Sequence, residues 1–174
     1  MSSIPNQNNH LPIVVGITGA SGAVYAARTL QWLLEEARRV HLVISPDGLT
    51  VIRQELGYDG SVTLDSIAEL FAAAGKLMSG NSAVEASKFA SRAVAAVSAG
   101  HLKIHKSDDY FSPIASGSYR TAGMVVCPCS GTSLAAIAHS SGRNLIHRAA
   151  EVHLKEPPQA DFSPSGNASE HSAN

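Results

Sequence analysis

Ile13-Val14-Val15-Gly16-Ile17-Thr18-Gly19-Ala20-Ser21-Gly22 runs into Ala23-Val24-Tyr25-Ala26-Ala27. A short, largely β-branched run passes into a glycine-rich turn and then into good helix formers. A strand, loop and helix in that order bring backbone N–H groups and the positive end of a helix to one point, where anions bind. Gly16, Gly19 and Gly22 follow the spacing G-x-x-G-x-x-G. Glycines let the backbone approach a phosphate closely, and Ser21 adds a hydroxyl. The stretch predicts a loop for a phosphate-bearing cofactor at the start of an α/β fold and leaves the cofactor's identity open. A tight strand-to-helix turn without a ligand is the plainer alternative.

Ahead of this stretch, Met1–His10 is polar, with neither a basic n-region nor an apolar h-region, so it does not read as a signal peptide. Residues 1–11 are expected to be a disordered lead. Behind the turn, a helix is predicted from Ser21 or Gly22 to about Arg38, with Ala26, Leu30, Leu33 and Leu34 on its buried side. Val40–Ile44 reads as the next strand, closed by Ser45-Pro46-Asp47-Gly48, with a helix over Leu49–Leu56. This β–α–β order with short connections argues for a parallel sheet with helices on its faces. Leu64–Leu77 reads as helix, as does Ala83–Ala99 within an alanine- and serine-rich stretch that shows no chemistry. Gly123–Cys127 is the third expected strand, followed by helices over Ser133–His139 and Leu145–Lys155. From Pro157 the composition turns polar, with Phe162 as its one large apolar residue, and cannot offset the entropy of ordering. The reading is one domain over 12–156 and a disordered tail over 157–174.

The 174 residues are enough for one domain with a real core. A net charge of −1 with 16% charged residues gives no bulk electrostatic case for nucleic acid or an anionic membrane. No apolar run approaches the roughly 20 residues that cross a bilayer. Cys127 and Cys129 flank Pro128, too close to pair readily and too few to hold zinc, so no metal is expected and a reduced cytoplasmic setting is the simplest one.

A nicotinamide enzyme of the short-chain dehydrogenase type is the natural rival for the glycine turn. Against it, the second strand ends in Ser45 where an adenine-ribose binder offers Asp or Glu. None of Tyr25, Tyr58, Tyr110 and Tyr119 has the lysine four residues on that such enzymes use. Ser45 can bond a flavin or ribityl chain, or simply cap the next helix ahead of Pro46. The second polar loop, Pro128-Cys129-Ser130-Gly131-Thr132-Ser133, stands at the carboxyl end of a strand, where ligands of open α/β sheets collect. Its hydroxyls suit a ligand's polar atoms; Ser130, Thr132 or Ser133 as a helix cap is the alternative.

The sequences Gly-Ile-Thr-Gly-Ala-Ser-Gly-Ala-Val-Tyr (16–25), Leu-Val-Ile-Ser (42–45) and Arg-Gln-Glu-Leu (53–56) resemble the flavin prenyltransferases, formerly described as aromatic-acid and polyprenyl-hydroxybenzoate decarboxylases. So do Ser-Gly-Ser-Tyr-Arg-Thr-Ala-Gly-Met-Val-Val-Cys-Pro-Cys-Ser (116–130) and His-Arg-Ala-Ala-Glu-Val-His-Leu-Lys-Glu (147–156). The resemblance runs in order from Ile13 to Glu156. It implies a flavodoxin-like (Rossmann-type) three-layer parallel sheet and a homo-oligomer, a dodecamer in the family. It also implies transfer of a dimethylallyl group from dimethylallyl phosphate to reduced FMN, with the prenylated FMN serving a partner decarboxylase. Residue by residue, Gly19, Ala20 and Ser21 match the FMN-binding turn, Ser45 the contact after the second strand, and Cys129, Ser130, Gly131 and Thr132 the second FMN loop. Glu55 matches a glutamate implicated in proton handling, shared with Ser21, and Arg148 and Lys155 match residues that hold the donor phosphate. Read without the family, Glu55, Arg148 and Lys155 are ordinary helix-face charges. Tyr119 takes the place of a pocket aromatic; neither it nor His139 is given a catalytic role.

The chain departs from the family in two ways. Thr132 stands where members carry Lys or Arg. After Glu156 the family continues into a further strand ending in Arg-Glu-Thr-Pro, where this chain turns polar, so the sheet is expected to be incomplete at the C-terminus and prenyl transfer impaired. The competing function is a non-catalytic FMN-binding or assembly subunit. A cysteine-peptide decarboxylase of the same superfamily ranks below both. It needs a histidine just before the third-strand loop, where Pro113 and Ile114 stand, and His101 and His105 come too early.

Overall fold

The structure, a computed structural model, describes residues 11–78, 91 and 93–155. The polar tail over 157–174, residues 1–10 of the lead and most of the expected 83–99 helix lie outside them. Four parallel strands form one sheet: β1 (Ile13–Ile17), β2 (Val40–Ile44), β3 (Leu102–His105) and β4 (Gly123–Val126), in the order β3-β2-β1-β4. The flavodoxin-like, Rossmann-type parallel sheet is therefore present, with the 3-2-1-4 strand order of the doubly wound series. Ile13 pairs with Val40 on one side and Gly123 on the other, and this register carries on along β1.

One sheet face packs on α1 (Ala23–Glu35) and α3 (Ile67–Met78), with α2 (Pro46–Leu56) alongside. Val15, Ile17, Leu42 and Leu102 meet Leu30, Leu34, Ile52, Leu70 and Phe71 there. The expected inner residues of α1, Ala26, Leu30, Leu33 and Leu34, are all buried. Each buried leucine contributes about 1.5–3 kcal/mol relative to exposure. The other face is covered by α5 (Leu145–Lys155), preceded by α4 (Gly131–Ala138), and by a single 3-10 turn at Pro113–Ala115. Val14, Val43, Ile114, Leu145, Ile146 and Ala149 form this second core. A side chain at Gly16 would place its Cβ 2.9 Å from Ile146 Cγ2, so the glycine is where α5 comes down on β1.

Several boundaries differ from expectation, each for a local reason. Helix α1 ends at Glu35 rather than Arg38, because Ala37 turns left-handed (φ 51°) and Arg38 N–H bonds back to the Leu33 carbonyl at 3.0 Å. Helix α2 begins at Pro46 rather than Leu49: Ser45 caps it, proline fits its first position, and Gly57 in αL closes it. Helix α3 begins at Ile67 rather than Leu64, and α4 at Gly131 rather than Ser133. Strand β3 was not expected at all. Its Leu-Lys-Ile-His is only four residues long and buries both ends, Leu102 and His105, so it shows no period-2 alternation. It is fixed by pairing His41 with Lys103 and Val43 with His105. The strand expected third is thus β4.

Candidate functional site

The strand order reverses between β1 and β4, so a crevice opens at their carboxyl ends. The two loops leaving these strands are joined by one side chain. Thr18, fully buried, donates its hydroxyl to the Pro128 carbonyl at 2.9 Å and accepts the Ser130 N–H at 2.7 Å. Its own N–H also reaches the Pro128 carbonyl at 3.1 Å. Thr18 lies inside the 13–22 stretch, where glycine spacing and the Ser21 hydroxyl are the more conspicuous features. A threonine straight after a strand was the available signal. The fixed geometry of a β-branched hydroxyl is what suits it to the task.

Helix N-termini α1, α2 and α4 follow β1, β2 and β4 and so collect at the same edge of the sheet. Gly19 is held against the start of α2, where any Cβ on it would lie 2.5 Å from Asp47 Cβ. Gly22 has φ 119°, a left-handed value that glycine adopts without strain. The N-terminus of α1 is not bare. Glu55 Oε2 accepts Gly22 N–H at 2.9 Å and Ala23 N–H at 2.7 Å. The bond from Ser21, followed by those from the Ala23 and Gly22 amides, holds the Glu55 carboxyl below its usual range. An anion does sit at the opening turn, and it is the chain's own carboxylate, delivered by the last turn of α2.

Ser45 accepts Gly48 N–H at 3.0 Å, and Ser130 accepts Ser133 N–H at 3.2 Å, so both serve as helix caps. Cys129 is a free thiol whose affinity for its proton is raised by burial, so it is no ready nucleophile. Gly131 and Thr132 are exposed on the first turn of α4, and a Cβ on Gly131 would meet nothing within 4 Å. This open helix start, between hydroxyl-bearing residues and facing the crevice, fits a flavin mononucleotide.

The remaining candidates lie on α5. Arg148 donates from Nε to the Ala115 carbonyl at 3.1 Å and stands 3.6 Å from Glu151. Lys155 is exposed at the helix end. The structure thus joins Ser21 with Glu55, and the Thr18 bonds join the glycine turn to the loop of Cys129–Thr132. Arg148 is instead held over the 113–115 turn. Tyr119 bonds His41, and His139 is the exposed C-cap of α4. Among the described residues no three His, Cys, Asp or Glu side chains cluster as metal ligands, and no helix is long and apolar enough to cross a membrane.

A doubly wound parallel sheet with its switch-point crevice ringed by helix N-termini defines a nucleotide-cofactor-binding α/β protein. Residues 1–171 match the flavoprotein family, and the chain belongs to it. It is 40% identical over 144 residues to a flavin prenyltransferase UbiX of Alkalihalophilus pseudofirmus, covering 83% of this chain and 60% of that protein. It is 39% identical over 142 residues to the UbiX of Halalkalibacterium halodurans, covering 82% of this chain and 57% of that one. Among solved structures, AnUbiX in complex with FMN and dimethylallyl pyrophosphate superposes with a TM-score of 0.57 at 29% identity, over 86% of this chain and 61% of that one. A dodecameric FMN-dependent UbiX-like decarboxylase from Escherichia coli O157:H7 gives a TM-score of 0.58 at 31% identity, over 86% and 63%. The chain therefore spans about three fifths of the length of these relatives.

Proposed function

We propose that the crevice between β1 and β4 holds FMN and that the chain works as a flavin prenyltransferase, joining a dimethylallyl group from dimethylallyl phosphate to reduced FMN. The observation that carries this reading is the Thr18 link, which sets the 19–21 and 129–132 loops on either side of one crevice. The likeness to a relative solved with FMN and dimethylallyl pyrophosphate supports it.

Gly19, Ala20, Ser21, Cys129, Ser130, Gly131 and Thr132 frame the cofactor in this reading. The open first turn of α4 takes negative charge, since Glu55 already fills that of α1. Ser45 adds a hydroxyl at the end of β2. Reduced FMN supplies the nucleophilic ring that accepts the prenyl group. Arg148 and Lys155 hold the donor phosphate, on which charge builds as the allylic C–O bond breaks. Glu55, kept ionised first by the Ser21 hydroxyl and then by the Ala23 and Gly22 amides, is the base that takes up a proton through Ser21. The domain spans 12–156. The product passes to a decarboxylase that uses prenylated FMN, the chain assembles as a homo-oligomer of the dodecameric kind, and both work in the cytoplasm.

The test is anaerobic incubation of the protein with reduced FMN and dimethylallyl phosphate, read by the mass of the flavin. Prenylated flavin is expected, and Arg148→Met should abolish its formation while FMN is retained. Tightly bound FMN without turnover would instead favour a non-catalytic flavin-binding or assembly subunit. Absence of FMN binding would overturn both.

A further inference from the structure

On the sheet face covered by α5, four side chains form one hydrogen-bonded chain that the flavin site does not use. Tyr119 OH lies 3.0 Å from His41 Nε2, His41 Nδ1 lies 2.8 Å from His105 Nε2, and His105 Nδ1 lies 2.9 Å from Ser112 Oγ. The two imidazoles are nearly coplanar, 12° apart with centroids at 4.9 Å, the geometry of an in-plane N–H···N bond. His41 and His105 are both buried, as is Ser112. Ser112 and Tyr119 are the two ends of the segment that contains the Pro113–Ala115 turn, so two strand histidines pin that segment to the sheet at both ends. The Ala115 carbonyl between the pins carries Arg148.

Each neutral imidazole has one N–H and one lone pair. Donation must therefore run in a single direction along the whole chain, from Tyr119 to Ser112 or the reverse. One added proton is tolerated: doubly protonated His41 still donates to His105 and to the Tyr119 oxygen, and His105 still donates to Ser112. With two added protons, both facing nitrogens carry hydrogen and the central bond becomes a repulsion. We propose that the His41–His105 pair is an acid-opened latch, accommodating one proton and releasing the 112–119 segment from β2 and β3 on taking a second.

The surroundings favour the closed state at neutral pH. Burial, then His105, Lys103 and Arg39, lower His41 to about 4. Burial and Lys103 also lower His105, opposed by Asp109 from the connection itself. Helix α5, packed on the same layer, brings His147, Arg148 and Glu151, with burial holding His147 toward its neutral form. A lowered histidine takes up protons less readily in the folded state. The closed latch is thus unpenalised above about pH 6.5 and weakens as pH falls toward about 4.

Amide hydrogen exchange on the flavin-free protein tests this without any activity. Corrected for intrinsic pH effects, protection of residues 114–119 should fall about tenfold or more between pH 6 and 4 while β1 amides stay protected. Lys103→Gln, removing a positive charge that lowers both rings, brings their closed-state values nearer the ordinary 6.5 and should move the opening to lower pH. Tyr119→Phe should raise exchange of residues 116–119 at pH 7 and leave β1 unchanged. The latch is overturned if the segment and β1 lose protection together, if Lys103→Gln leaves the opening where it was, or if Tyr119→Phe has no local effect.

Discussion

The Thr18 hydroxyl donates to the Pro128 carbonyl at 2.9 Å and in turn receives the Ser130 N–H at 2.7 Å. Thr18→Val keeps the shape of the side chain and removes both bonds, leaving a part-buried amide without its acceptor. A loss of about 1–3 kcal/mol in stability is expected. Urea denaturation measures this, and FMN titration should show weaker binding beyond what the stability loss explains.

Gly19 lies so close to Asp47 that it has no room for a side chain. Gly19→Ala places a new Cβ against Asp47 Cβ and should cost about 1–3 kcal/mol. Asp47→Gly in the same chain removes the obstructing atom, and the nearest remaining Asp47 atoms lie at 3.4 Å or more. A double-mutant cycle by thermal melting should therefore show the pair less destabilised than the sum of the singles.

Glu55 stabilises the start of α1 only while ionised. Its carboxyl lies below the ordinary 4.5 because of Ser21 and the Ala23 and Gly22 amides. The stabilisation is complete above about pH 4.5 and is lost as pH falls through the lower folded-state value. Glu55→Gln should lower the Tm at pH 7, and the gap to the parent protein should shrink below pH 4. Equal gaps at pH 7 and pH 3 would contradict the assignment.

Cys129 should alkylate slowly, since burial keeps its thiol protonated. Iodoacetamide at pH 8, followed by peptide mass analysis, should modify it several-fold more slowly than a free cysteine peptide. Prior unfolding in urea should abolish the protection.

Much of the site was legible because its parts are local. Glycine spacing, a serine before proline and the Pro-Cys-Ser-Gly-Thr-Ser run after a strand are patterns of adjacent residues, and they fall where the loops and caps lie. β3 was hidden because four residues carrying Lys103 and His105 give little periodic signal. The His41–His105–Tyr119–Ser112 chain was hidden for a different reason. Its members are 64, 78 and 7 residues apart in sequence, and only sheet register and the return of the connection bring them together.

By itself the sequence determined a parallel α/β fold, the two polar loops at the strand ends, and a resemblance that led to flavin chemistry. These depend on short-range patterning: β-branched runs, apolar helix faces and glycine or serine punctuation. Only the tertiary structure decided who serves whom. It gave the anion place at α1 to Glu55, made Thr18 the link between the loops, and used Ser45 and Ser130 as caps. A hydroxyl or carboxylate can bond many partners, and the partner it takes is set by which elements the buried core brings within hydrogen-bond reach.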